Sequence, residues 1–188
     1  MAQTDFTNHF LIAMPRMVDP YFSSSIVYIC QHDDHGALGL IVNKPVEKDV
    51  GGLFMRHGIS MKYHDLGNQS VLFGGPVDPD CGFVVHRYSR DWNSTLKVTQ
   101  DLALTTSVDI LEDLGGAEVG LDSGVLISQG CCGWSPGQLE GEIKMNNWLT
   151  VPAEPTLMFQ VPIGQRYDGA LSLLGVSADQ ICMMSGHA

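Results

Sequence analysis

An α+β fold is expected of this 188-residue chain on three grounds. Strand-like and helix-like segments follow one another without the strict alternation of a doubly wound sheet. No Pro/Gly/Ser linker, low-complexity run or fixed-period repeat divides the chain, so residues 1–188 read as a single domain. Apolar residues make up 44% of the chain at a mean hydropathy of +0.06, ordinary for a globular protein with a core, so disorder is not the default. No stretch approaches the roughly 18 unbroken apolar residues of a membrane helix.

The elements follow in order. Residues 10–14 form a short apolar strand stopped by Pro15. Residues 25–31 and 37–43 are rich in β-branched residues and read as two strands joined by the polar turn His32-Asp33-Asp34-His35-Gly36. Residues 49–57 suit a short helix. Residues 71–73 and 83–86 suit strands separated by the turn Gly74-Gly75-Pro76. Residues 107–114 place Val108, Leu111 and Leu114 on one helical face, with Gly115-Gly116 as the stop. Residues 124–128 form a strand. A helix then opens at Ser135 as N-cap, with Pro136 at the first helical position and Gln138 closing a capping box, and runs to about Met145. Strands at 148–151 and 156–159 and a helix at 167–174, ended by Gly175, complete the reading.

Charge narrows the function. The net charge is −11, and residues 101–188 hold only Lys144 and Arg166 against eleven acids. Nucleic-acid affinity needs clustered cations, so this half argues against direct nucleic-acid binding. The local group Arg87, Arg90 and Lys97 reads as a solvated strand end. The N-terminus lacks a basic segment leading into an apolar one. Five scattered cysteines without a C-x-x-C pair suit reduced thiols, and the expected location is the cytoplasm.

Several chemistries can be weighed residue by residue. Gly133-Trp134-Ser135-Pro136-Gly137 matches the G-x-S-x-G nucleophile elbow, with Asp168, Asp179 and His187 following in hydrolase order. The residue after that serine must donate its backbone N–H to an oxyanion, and Pro136 has none. The helix-cap reading explains the same residues. His32 and His35, with Asp33 and Asp34, lack further ligands at metal-site spacing and read as a polar turn, so no metal is expected. Cys131-Cys132, ahead of a helix N-terminus, suggests a redox thiol, against the commoner role of small buried apolar residues. Glu140 and Glu142, two apart on a helix, point to different faces and do not make an acid/base pair. No phosphate-binding glycine loop is present, no cofactor is expected, and no catalytic residue is assigned.

The landmarks nevertheless occur in a telling order: Ala13-Met14-Pro15, Asp19-Pro20-Tyr21-Phe22, Gly36-Ala37-Leu38-Gly39, Asn43-Lys44-Pro45, Gly74-Gly75-Pro76-Val77, Gly82-Phe83-Val84-Val85-His86, Gly133-Trp134-Ser135-Pro136-Gly137-Gln138-Leu139-Glu140, Asn147-Trp148-Leu149 and Gly186-His187-Ala188. Over nearly the whole chain this resembles the YqgE/AlgH family of bacterial proteins. The resemblance implies an α+β fold with a complex mixed, bifurcated β-sheet that includes a small closed barrel, surrounded by helices. It implies no established activity. Some members carry the label of transcriptional regulator, which would act indirectly here because no recognition helix with a basic face is seen. The chain departs from the family in having Cys131-Cys132 where an aromatic–small pair is usual, and Ser135 where glycine is common.

The expected function is therefore a non-enzymatic binding or regulatory protein with a protein or small-molecule partner. The alternative is a small-ligand-binding protein or an enzyme with an unrecognised pocket. The candidate surface comprises His32, Asn43, Lys44, Pro45, Gly74, Gly75, Pro76, His86, Trp134, Ser135, Pro136, Gly137, Gln138 and Glu140, mostly in loops, where function concentrates. An exposed Trp134 beside a free helix N-terminus would accept a carboxylate, a phosphate or a partner chain. A deep cleft lined by His32, His86 and Asn43 would favour a ligand or catalytic site, and a flat apolar patch near Trp134 a protein partner.

Overall fold

A computed structural model describes residues 4–62, 65–116 and 124–185; the Gly186-His187-Ala188 landmark, and with it His187, lies outside the described residues. The chain begins as an antiparallel meander of β1 (His9–Ala13), β2 (Ile26–Asp33) and β3 (Gly36–Ile41). The first two strands are apolar at consecutive positions because both faces are covered. Phe10, Ile12, Ile26 and Tyr28 enter one core cluster, and Leu11, Ala13, Val27 and Ile29 enter another.

After β4 (Pro45–Asp49), the Asp49 side chain accepts the Gly52 N–H at 2.7 Å and caps α1 (Val50–Arg56). There follow β5 (Ser70–Phe73), β6 (Val77–Arg87), β7 (Thr95–Lys97), β8 (Leu102–Thr105), α2 (Asp109–Gly116) and β9 (Val125–Trp134). The C-terminal part holds α3 (Gln138–Lys144), β10 (Trp148–Pro152), α4 (Pro155–Phe159), a 3₁₀ turn at Ile163–Gln165, α5 (Arg166–Leu173) and α6 (Ala178–Ser185). No described helix is long and apolar enough to cross a membrane.

The sheet forks at β9. Along one edge β9 pairs β6; its other edge is shared between β3, at Cys132–Trp134, and β5, which runs parallel to it at Ser128 and Gln129. Gly74 sits in the fork, its N–H donating to the Gln129 carbonyl and its own carbonyl accepting the Ile41 N–H, each at 2.8 Å. Only glycine fits here. A Cβ on Gly74 would stand 2.2 Å from the Gly130 oxygen, and one on Gly75 (φ +151°) 2.2 Å from the Cys131 oxygen.

Three expectations are corrected. The strands run β10-β1-β2-β3-β9-β6-β8-β7, and among the described residues β10 pairs only with β1 and β7 only with β8, so the sheet curls into an open half-barrel, not a closed barrel. Residues 156–159 form helix α4 and not a strand, because Pro155 opens a helical turn that buries Leu157 and Met158. The strand expected to end at Ser128 continues to Trp134, since partners on both edges override the weak strand preference of Gly130 and Gly133.

Candidate functional site

The central feature is a carboxylate holding two indoles. Trp134 ends β9 and Trp148 begins β10, and α3 lies between them in sequence. Glu142 on α3 accepts the Trp134 Nε1–H at 2.9 Å and the Trp148 Nε1–H at 2.8 Å on Oε2. Its other oxygen accepts the Gln138 amide at 3.0 Å, one helical turn away. The rings pack at 6.3 Å, edge to face, and Phe22 meets Trp148 edge-on at 5.5 Å and Trp134 at 6.5 Å. These three aromatics line a cleft of about 480 Å³, whose polar wall includes Arg16, Asp19, Gln138, Glu142 and Asn147.

The helix start differs from the expected capping box. The Gln138 N–H donates to the Ser135 carbonyl at 3.0 Å, and Gly137 has φ +76° and ψ −8°. Pro136 followed by a left-handed Gly137 is the signature of a type II turn, so α3 begins at Gln138 and not at Pro136. Gln138 still does its half of the box by accepting the Ser135 N–H at 3.0 Å, but the Ser135 hydroxyl caps nothing. Trp134 is buried, at 6% exposure, and α3 has seven residues, so the expected exposed indole beside a free helix N-terminus is not present.

Asn43 and Lys44 act one step back from the cleft. Asn43 accepts the Ile26 N–H and donates to the Ser24 carbonyl, both at 2.8 Å, while Lys44 Nζ donates to the Tyr21 carbonyl at 2.6 Å. They clamp the 19–25 loop that supplies Asp19 and Phe22 to the cleft wall. Burial lowers the Lys44 pKa, and the nearby Asp19 carboxylate opposes that shift. Pro45 opens β4 opposite Leu72, and Gly74, Gly75 and Pro76 belong to the sheet fork. None of these four lines the cleft.

His32 lies within β2, not in the turn. Its Nδ1 accepts the Phe6 N–H at 3.1 Å, which leaves the proton on Nε2, 3.2 Å from Glu140 Oε1. With Phe6 stacked on its ring at 5.4 Å, it stitches the N-terminal segment and β2 to α3. Glu140 and Glu142 thus meet different partners on the one helix.

His86 is placed elsewhere, in a closed relay between β6, β7 and β8. The Trp92 N–H donates to Thr95 Oγ1 at 2.9 Å, the Thr95 and Thr105 hydroxyls meet at 2.8 Å, and Thr105 Oγ1 lies 2.9 Å from His86 Nε2. His86 Nδ1 donates to the Arg87 carbonyl at 2.9 Å. Burial lowers the imidazole pKa and keeps the ring neutral. Among the described residues His32, His86 and Asn43 thus serve separate hydrogen-bond sets, and none of the three lines the cleft at the tryptophans.

Cys131 and Cys132 lie inside β9, buried, and not before a helix. Burial pushes the Cys131 thiol up to about 11 and the Cys132 thiol higher still, the reverse of a reactive thiolate. Among the described residues no group of three His, Cys, Asp or Glu side chains is placed to hold a metal ion.

Sequence reasoning missed Glu142, Phe22 and Trp148 as site residues. The spacing of Glu142 from Gln138, one helical turn, was the available signal. Phe22 and Trp148 are recruited by tertiary contacts alone.

Comparison with known proteins agrees with the landmarks. Residues 10–179 match the AlgH-like family. The chain is 44% identical to a UPF0301 protein of Dechloromonas aromatica and 47% identical to one of Chromobacterium violaceum, each over 188 residues and the full length of both chains. The solution structure of the AlgH protein from Pseudomonas aeruginosa superposes with a TM-score of 0.77 at 35% identity, covering all of both chains. A Corynebacterium diphtheriae protein of known crystal structure shares the fold, with a TM-score of 0.69 at 17% identity over 91% of this chain and 88% of its own. The chain belongs to the AlgH-like family.

Proposed function

We propose that this is a non-enzymatic binding protein with a regulatory role, one domain over residues 1–188, working in the cytoplasm. Its cleft takes an apolar group, the side chain of a protein partner or the equivalent part of a small ligand. The carrying observation is that Glu142 accepts both indole N–H groups, so the two rings are held by their polar edges while they line an open cleft. Such a wall is preorganised, and little ordering entropy remains to be lost on binding. The surroundings are apolar as well: Val18, on the cleft, is 92% exposed, and Met145, next to the lining Asn146, is 62% exposed.

The non-enzymatic reading rests on what the polar groups are already doing. The Ser135 N–H is taken by Gln138, and Pro136 supplies no oxyanion donor. The one threonine–histidine pair described above, Thr105 with His86, has 0% and 2% exposure, and the Thr105 hydroxyl is already engaged by both Thr95 and His86. A regulatory effect would pass through the bound partner, since residues 101–188 set two cations against eleven acids. Free thiols, buried at Cys30, Cys131 and Cys132 and exposed at Cys81 and Cys182, suit a reducing compartment.

The test reads the indole N–H signals of Trp134, Trp148 and Trp92 by NMR during titration with indole and with N-acetyl-leucinamide. Saturable shifts at Trp134 and Trp148, with Trp92 unmoved, are expected. Val18→Glu should weaken the binding while changing stability by less than about 0.5 kcal/mol, as an exposed substitution does. If the two signals stay in place with every apolar probe, the cleft is not a binding site.

A further inference from the structure

Arg166, the first residue of α5, is buried at 5% exposure. Its Nε donates to the Val161 carbonyl at 2.9 Å and its Nη1 to the Val42 carbonyl at 2.6 Å. Among the described residues no carboxylate pairs with it, and Nη2 makes no hydrogen bond. A guanidinium carries five N–H groups in a planar fork, so two such bonds leave its Nη1–Nη2 end with donors to spare. Burial lowers the pKa to about 10, and the group stays cationic at neutral pH. A buried cation without a counter-charge is costly, and two neutral carbonyls offset only part of that cost.

Arg166 forms part of the wall of a second cleft, of about 390 Å³, with Leu72, Phe159 and Ile163 as apolar walls and Ser70 and Gln160 as polar ones. The ring of Phe159 in that wall also has the Arg87 guanidinium 6.0 Å from its centroid. No residue of this cleft lines the one between the tryptophans.

We propose that the cleft at Arg166 is a second binding site, taking a small organic carboxylate with a short apolar body. The carboxylate meets the end of the guanidinium, where two parallel N–H···O bonds are available. The apolar body lies against Leu72, Phe159 and Ile163. A bare inorganic anion would leave those walls unused, which is why an organic acid fits better.

The experiment is a backbone-amide NMR titration with hexanoate, run beside hexanamide, which has the same shape without charge. Saturable shifts at Ser70, Phe159, Gln160 and Arg166 are expected, with hexanamide at least about tenfold weaker, as for loss of a charge-assisted pair. Arg166→Gln should abolish the response; because it also removes the bonds to Val42 and Val161, a second pair of variants is needed. Ser70→Glu sets a carboxylate in the cleft to compete for Arg166 and should weaken hexanoate by about tenfold or more, whereas Ser70→Gln should leave it nearly unchanged. Equal binding of acid and amide, shifts confined to other residues, indifference to Ser70→Glu, or no saturable response would each overturn the proposal.

Discussion

The tryptophan pair at Trp134 and Trp148 and the single indole of Trp92 are assembled from similar parts, yet they leave different surfaces. The Trp92 Nε1–H donates to Asp113 at 2.8 Å, its ring meets His86 edge-on at 4.9 Å, and the Arg90 guanidinium, itself paired with Asp113, lies 5.0 Å from the ring centroid. Its backbone N–H opens the relay through Thr95, Thr105 and His86. The described polar groups of that relay are consumed by one another, and its hydroxyl and imidazole at Thr105 and His86 are buried. At the other end one carboxylate serves two indoles, and the rings with Phe22 border open space. A satisfied polar network locks a core; a shared acceptor at a core's edge holds a surface ready.

The largest expected effect lies where the two regions join. Gly75→Ala would drive a Cβ into the Cys131 carbonyl at a left-handed φ, and we expect a loss of about 4 kcal/mol or more, or no folded protein, in urea unfolding. Next, Glu142→Ala leaves two buried indole N–H groups without an acceptor. An expected loss of about 2 kcal/mol allows for water reaching this partly exposed site, and Glu142→Gln, which keeps one acceptor, should cost less. Restoration of full stability by Ala alone would mean that the shared carboxylate holds nothing.

Thr105→Val keeps the shape of the relay and removes its central hydroxyl, stranding His86 Nε2 and Thr95. A loss of about 1–2 kcal/mol is expected, without any change in ligand shifts at Trp134. A coupled change at both ends would break the contrast between a closed and an open region.

The smallest effect is on pH dependence. Burial lowers the His86 pKa below its ordinary 6.5, so the unfolded chain takes up a proton at higher pH than the folded one does. The neutral ring's contribution is whole above about pH 6.5 and is lost as pH falls below it. His86→Gln should flatten that part of the stability profile; an unchanged slope would place the titrating group elsewhere.

Much of the fold was readable in the chain because its signals are local. Apolar runs marked β1 and β2, Asp49 marked the start of α1, and Gly175 followed α5. The Pro136-Gly137 pair fits a helix start in sequence and makes a turn in the structure, since a proline suits both and only Gly137's φ separates them. The weak strand signal of Gly130 and Gly133 hid the second half of β9, whose partners come from three distant segments.

The site divides the same way. Residue chemistry alone argued against a serine hydrolase through Pro136 and against nucleic acid through the charge of the second half, and the order of the landmarks carried the family resemblance. Tertiary structure decided that Trp134 is buried, that His32 and His86 serve separate networks, and that Glu142 joins two indoles. It also decided that Arg166 is buried without a described carboxylate beside it. Those outcomes depend on which distant segments meet across β9, and the energy of such meetings is not written into any local stretch.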